Sequence, residues 1–475
     1  MPADDGRDIV IVSDFHMSSG YNQRTGTFSR NEDFFYDAAF ERFIDKLIAQ
    51  AQREQRGWRL VILGDFVDFL QVERPRNHDN ITSSADTVSK LEEIARGHVR
   101  IFASLARFID AGHVVDLVIG NHDIEFIWPD VQARFKQLIA QHARADDAAA
   151  QITVHPWIFY VPGVLYAEHG QQYDIYNSFA TLLQPMLPSN PALIEMPLGS
   201  FFVLYLFNHL ERLDPFADNV KPATRYLSWA IRTHPIVALA SLGYHLQFFV
   251  KVLRSASKLS EAEQQARREA YRRAVVAPYA ATIGLPVETL VEIDRMAAIP
   301  AMSNHLRQVE ALVVRPMIPG IPALAAVAAI YRATKKVRPG MRSFLMLMGG
   351  IGGLLWRERR LLRPATQPGT YLFAAALRIH EQLSRINAAV PAYVFGHTHT
   401  AEQYPLIDSD DGPRYLNTGT WTPLVPHAFD LVSTRERFSF VQITRDPAQG
   451  QVQARLMLWN DAAERVEPLP LLMSS

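Results

Sequence analysis

Over the first third of the chain, short apolar runs alternate with longer stretches whose apolar residues recur at helical spacing, and several runs end abruptly in polar residues. The runs at 9–13, 60–63 and 114–119 are rich in Val, Ile and Leu and short enough to be strands. Between them, Phe35, Ala39, Phe43, Leu47 and Ala51 place one apolar stripe along a helix over 34–52. The stretch 85–109 repeats that pattern behind polar residues able to cap it. Helices of this kind cover a sheet, so the rhythm predicts an α/β architecture. Further strand-like runs follow at 152–154, 157–161 and 164–168, the last two separated by the turn pair Pro162-Gly163.

After Tyr176 the pattern changes. Pro185, Pro188, Pro191 and Pro197 punctuate a switch to long, apolar, helix-like segments that run to about Pro368. The α/β rhythm then resumes with a helical stretch at 371–386 and strand-like runs at 392–395, 414–417, 438–443 and 451–458. The pattern predicts one discontinuous α/β domain, 1–175 and 369–475, interrupted by a helical insertion at 176–368. No internal repeat of fixed period is evident. Composition narrows this further. A length of 475 residues allows one large interrupted domain or several smaller units. A net charge of -1 argues against a general nucleic-acid binder of the basic-stripe kind. With no cysteine, disulfides and thiolate metal sites are excluded, leaving His, Asp, Glu and Asn as strong ligands. The acidic start before Ile9-Val10-Ile11-Val12 does not read as a secretory signal, and no unbroken apolar run reaches the roughly 18 residues of a membrane span. A cytoplasmic location is expected.

The polar residues that end the runs carry the chemistry. Four clusters follow strand-like runs directly: Asp14-Phe15-His16, Gly64-Asp65-Phe66-Val67-Asp68, Gly120-Asn121-His122-Asp123 and Gly396-His397-Thr398-His399. A fifth, Glu168-His169-Gly170, ends the run at 164–168. Open α/β sheets bind ligands outside the carboxyl ends of their strands, so clusters at that position can converge. Carboxylate, amide oxygen and imidazole are the donors that divalent cations of hard and borderline character take. Any one Asp-X-His or Gly-Asp pair is an ordinary turn or cap. Two imidazoles flanking a single residue have little packing value, and five such blocks in one chain point to a metal site.

As a set the five blocks resemble the calcineurin-like metallophosphoesterase superfamily, over about 8–170 and 371–421. The resemblance implies a two-sheet sandwich flanked by helices, holding two divalent metal ions. Asp14, His16 and His399 would hold one and Asn121, His169 and His397 the other, with Asp65 bridging them. Two close cations need such a shared anionic ligand, and together they activate a bridging hydroxide to attack phosphorus without a covalent enzyme intermediate. Mn, Fe, Zn and Co all suit these donors, with Mn favoured. His122 would protonate the leaving oxygen, and Asp123 would orient it. Asp68 is expected to stand behind a ligand histidine or to cap the segment that follows it. The turn Asn417-Thr418-Gly419-Thr420-Trp421 would close the sandwich near the metals. Arg24, Arg30, Arg74, Arg76, His78 and Asp79 lie in polar stretches, for which a solvated loop is the simpler reading.

The implied reaction is hydrolysis of a phosphate ester or pyrophosphate, and the substrate must be inferred from the insertion. Its apolar segments at 201–207, 236–253, 321–330 and 344–356 include one flanked by Lys335, Lys336, Arg338 and Arg342 before it and Arg357, Arg359, Arg360 and Arg363 after it. That pattern suits a lid over an amphiphilic or lipid-linked substrate, or a peripheral membrane contact; a packed subdomain with solvated charged ends is the plainer alternative. Superfamily enzymes that cleave the pyrophosphate of UDP-diacylglucosamine carry a helical lid for lipid chains. This chain departs from them in having His122 where they usually carry Arg, and in the size of its insertion. A soluble phosphodiester such as a cyclic nucleotide is the alternative substrate. A non-catalytic scaffold of the same fold is the alternative function.

Overall fold

The computed structural model describes residues 5–72, 83–204, 259–304, 371–407, 412–422, 438–445 and 451–469, with single positions 208, 252, 307, 308 and 409. Before the insertion lie the strands β1 (Asp8–Val12), β2 (Tyr21–Asn22), β3 (Thr27–Phe28), β4 (Trp58–Leu63), β5 (Val114–Val118), β6 (Ile152–His155), β7 (Phe159–Val161) and β8 (Leu165–Ala167). The helices α1 (Asp37–Glu54), α2 (Ser84–Gly97), α3 (Val99–Asp110) and α4 (Pro129–Ala140) are interleaved with them. The described part of the insertion contains β9 (Met186–Leu187), β10 (Asn190–Ile194), α5 (Leu198–Phe202), α6 (Glu261–Tyr271), α7 (Ala277–Ile283) and α8 (Val287–Arg295). After it come α9 (Tyr371–Arg385), β11 (Ala392–Phe395), β12 (Glu402–Pro405), β13 (Arg414–Asn417), β14 (Phe438–Arg445), β15 (Val452–Asn460) and β16 (Arg465–Pro468).

Among the described residues the main strands form a seven-stranded sheet, β16-β15-β14-β1-β4-β5-β6, and a five-stranded sheet, β12-β13-β11-β8-β7. In the first, β1, β4, β5 and β6 are parallel, and β14 joins antiparallel beside β1. In the second, β11 is parallel to both β8 and β13. The unbroken apolar runs have a direct cause, because these central strands are buried on both faces. Val10, Val12, Leu60, Ile62, Val115 and Leu117 pack on the side of α1, α3 and α4, whereas Ile9, Ile11, Val61, Leu63 and Val118 face the other way. There they share one buried layer with Phe159, Val161, Leu165, Ala167, Ala392, Val394 and Leu416 of the five-stranded sheet. The outer face of that sheet carries Tyr393, Phe395 and Tyr415, packed with Leu372, Ala376, Ile379 and Leu383 of α9.

Two expectations change. The stretch 85–109 is two helices, α2 and α3, broken at His98. Gly97 meets the loop after β1 so closely that a Cβ on it would stand 2.0 Å from Ser19 O, and His98 turns its ring to Glu32 and Asp37 instead of continuing the helix. The insertion is not wholly helical either, since β9 and β10 pair as an antiparallel hairpin. Within the insertion, Tyr271, Val276, Ala280, Ile283, Leu290 and Ile293 join the same buried cluster as Trp157 and α9. Tyr279 stacks on Trp157 at 6.4 Å and accepts from Ile158 N at 3.2 Å. The apolar segments at 236–253 (except Val252), 321–330 and 344–356, with their Lys and Arg flanks, lie outside the described residues, as do residues 73–82. No single described helix is long and apolar enough to cross a membrane.

Candidate metal centre

The parallel strands β1, β4 and β5 deliver three of the polar blocks at their carboxyl ends, and the parallel pair β8 and β11 delivers the other two. At these ends the backbone turns sharply. Eight non-glycine residues among those described have positive φ, and five of them are expected ligands: Asp14 (55°), His16 (51°), Asp65 (51°), His397 (69°) and His399 (60°). A left-handed conformation costs roughly 1–2 kcal/mol for a residue with a Cβ, so its concentration here marks strain held for function. Space is equally tight. A Cβ on Gly120 would stand 2.2 Å from Asp65 Oδ1, which is why the Asn-His-Asp block begins with glycine.

Two triads result. Asp14, His16 and His399 bring their ligand atoms within 4.8 Å of one another, and so do Asp65, His169 and His397. In the first triad His16 Nε2 is 3.0 Å from His399 Nε2, and Asp14 Oδ1 is 3.3 Å from His399 Nε2. In the second, His169 Nε2 is 3.1 Å from Asp65 Oδ2. That oxygen also lies 3.8 Å from His16 Nε2, so one carboxylate faces both triads. Backbone donors fix the carboxylates: Asp65 Oδ1 accepts from His122 N at 2.9 Å and Asp14 Oδ2 from His397 N at 3.1 Å.

Whether a cation fits can be judged from the atoms left over. Among the described residues, Asp14 Oδ1, Asn121 Oδ1 and His169 Nε2 are buried and make no hydrogen bond. They are three of seventeen such atoms among the described residues, and these three are metal-ligand atoms of expected ligands gathered at one place. His169 donates Nδ1–H to Leu63 O at 2.8 Å, which leaves Nε2 as the nitrogen that faces the site. Electrostatics agree. Burial opposes charge on Asp14 and Asp65, yet the surrounding imidazoles hold Asp14 down to about 2 and Asp65 well below the ordinary carboxylate range. Burial also disfavours a charged His169, but Asp65 and Asp14 outweigh it and push its pKa up to about 9. A buried site that calls this strongly for positive charge suits divalent cations.

The remaining expected residues divide clearly. His122 is only partly buried, its ring 4.5 Å from that of His16, and it shares a third ligand set with His16 and Asp65. The residue that orients it is Asp68, whose Oδ2 lies 2.5 Å from His122 Nδ1 and 3.6 Å from His16 Nδ1. The other oxygen of Asp68 caps the next turn by accepting from Leu70 N at 2.8 Å. Asp123 does not orient His122. Its carboxylate accepts from Gly120 N at 2.6 Å and Phe66 N at 2.9 Å, tying the second and third blocks together. Asn417 to Trp421 closes the site as expected: Thr420 Oγ1 donates to Asp14 O at 2.7 Å, and Trp421 stacks on Phe15 at 5.2 Å.

Two contributors had no sequence signal. Asp174 reaches His397 Nε2 at 3.2 Å across 223 positions. Glu32 accepts from Ser18 N, Gly20 N and Phe34 N and so shapes the loop that follows His16. In comparisons with known proteins, the chain matches no family model and no curated protein.

Proposed function

We propose that the chain is a phosphoesterase of the calcineurin-like metallophosphoesterase type, hydrolysing a phosphate ester or pyrophosphate at two divalent cations, Mn favoured. Asp14, His16 and His399 hold one cation, Asn121, His169 and His397 the other, and Asp65 lies between. The observation that carries this reading is the position of Asp65 Oδ2 between His169 Nε2 and His16 Nε2. When bound, such a pair supplies an activated water as nucleophile and offsets charge on the phosphoryl oxygens. The chain's own residues do the rest. Asp68 anchors His122 through Nδ1, which leaves Nε2 as the nitrogen from which a proton reaches the leaving oxygen. Asp123 keeps the Asp65 and Asn121 loops in register. The buried apolar layer shared by the two sheets beneath is compatible with the sandwich expected of this enzyme type.

An amphiphilic or lipid-linked substrate, with a peripheral membrane contact in a cytoplasmic enzyme, rests on the apolar and basic segments outside the described residues. The described helices α6 to α8 each pack a few apolar residues into the main buried cluster and lend it no support. Hydrolysis of an aryl phosphodiester with added Mn²⁺, abolished in Asp65→Ala, is the expected result. A folded wild type that is loaded with Mn²⁺ but inert on both diesters and monoesters would favour the scaffold. A phosphodiester series of rising acyl length then separates amphiphilic from soluble substrates, each buried methylene adding up to ~0.8 kcal/mol.

A further inference from the structure

Asp174, two residues before the insertion begins, touches the candidate metal centre. Its Oδ2 lies 3.2 Å from His397 Nε2 and also accepts from Asn177 Nδ2 at 2.7 Å. Its Oδ1 accepts from Tyr176 N at 2.9 Å. The segment around it is held by a distant part of the insertion: Ala298 N donates to Gln172 O at 2.7 Å and Ala301 N to Ile175 O at 2.9 Å. Asn177 in turn lies against Gly199, where a Cβ would stand 2.0 Å from Asn177 Oδ1. The carboxylate is therefore fixed by the insertion on both sides and presented to one ring nitrogen of His397.

Resting on the two-cation reading above, we propose that Asp174 is a positioning residue through which the insertion sets the cation affinity of the Asp65, Asn121, His169 and His397 side. His397 donates Nε2–H to Asp174, which leaves Nδ1 as the ring nitrogen for a cation, just as His169 gives Nδ1–H to Leu63 O and keeps Nε2. The residue is then held at two points, its ring by Asp174 and its backbone N by Asp14 Oδ2. A carboxylate behind a ligating imidazole raises its basicity and fixes its plane, and loss of such a partner typically lowers metal affinity about 10–100-fold. The opposite side, Asp14, His16 and His399, has no contact with Asp174 among the described residues and is left unaffected.

The test is calorimetric titration of the metal-free full chain with Mn²⁺. Wild type binds two equivalents; Asp174→Ala binds one with unchanged affinity and the second about 10–100-fold more weakly. Asp174→Asn keeps an oxygen for Tyr176 N and falls between the two, so it carries the test if the alanine variant does not fold. Circular dichroism and thermal unfolding of the metal-free proteins accompany each titration. Unchanged affinity for both equivalents in Asp174→Ala, or in a folded Asp174→Asn where alanine fails, overturns the proposal. So does an equal fall at both sites together with lower metal-free stability and a wild-type Asn variant, which would mean a merely structural role. A wild type that binds fewer than two equivalents overturns the two-cation reading itself and this proposal with it.

Discussion

Three of the five imidazoles at the candidate centre are each held by a partner on one nitrogen, and the identity of that partner separates the roles. His169 has a backbone carbonyl, His397 a carboxylate from the insertion root, and His122 the carboxylate of Asp68. His122 is also less buried than His169 or His397, as expected of a group that must meet a substrate. His122→Ala should therefore retain both cations, read by metal analysis, while turnover falls about 10²–10⁴-fold for esters with poor leaving groups. Activated aryl esters should lose much less; equal losses would remove His122 as the proton donor. A single methyl group should do more structural damage. Gly120→Ala sets a Cβ 2.2 Å from Asp65 Oδ1 and 2.5 Å from Asp65 N, so the Asp65 loop must move. The expected result is weaker binding of both cations and a loss of roughly 1–3 kcal/mol in denaturant unfolding. Wild-type metal affinity in that variant would show that the loop yields freely.

Elements were legible where burial alone dictated them. The strands β1, β4, β5 and β11 read from sequence because both of their faces are apolar, and α1 and α9 because each buries one stripe. The break between α2 and α3 was not legible, since its cause is a contact with residues 19, 20, 32 and 37, remote from it in sequence. His98 at that break is fully buried, which disfavours its charge, yet Glu32 and Asp37 outweigh burial and raise its pKa to about 10. Its unfolded value is near 6.5, so the ion pair's stabilisation is complete below about pH 6.5 and lost as pH rises through about 10. His98→Gln should destabilise the protein by about 3–5 kcal/mol at pH 6, because it leaves Glu32 facing an uncharged group in a buried setting. Urea unfolding of both proteins at several pH values should show that difference shrinking between pH 6.5 and 10. A difference that stays constant with pH would mean His98 is neutral in the fold.

At the scale of the whole molecule, the chain leaves the two sheets after β8 and returns with α9 to supply β11, β13 and β14. The first triad thus joins residues 383 positions apart, His16 and His399. Five blocks in order made that closure legible, because each lies at the end of an apolar run. The pairing of His122 with Asp68 rather than Asp123 was hidden, since adjacent residues at a strand end point in different directions. Asp174 was hidden for the same reason at longer range. The role of Asp65 as the carboxylate that faces both triads is the claim on which the function turns. Its most direct measurement is electron paramagnetic resonance of the protein loaded with two equivalents of Mn²⁺. The expected spectrum is that of an exchange-coupled pair, replaced in Asp65→Ala by weak mononuclear binding or none. Two isolated, uncoupled Mn²⁺ signals in the wild type, or a coupled pair that survives in Asp65→Ala, would contradict it.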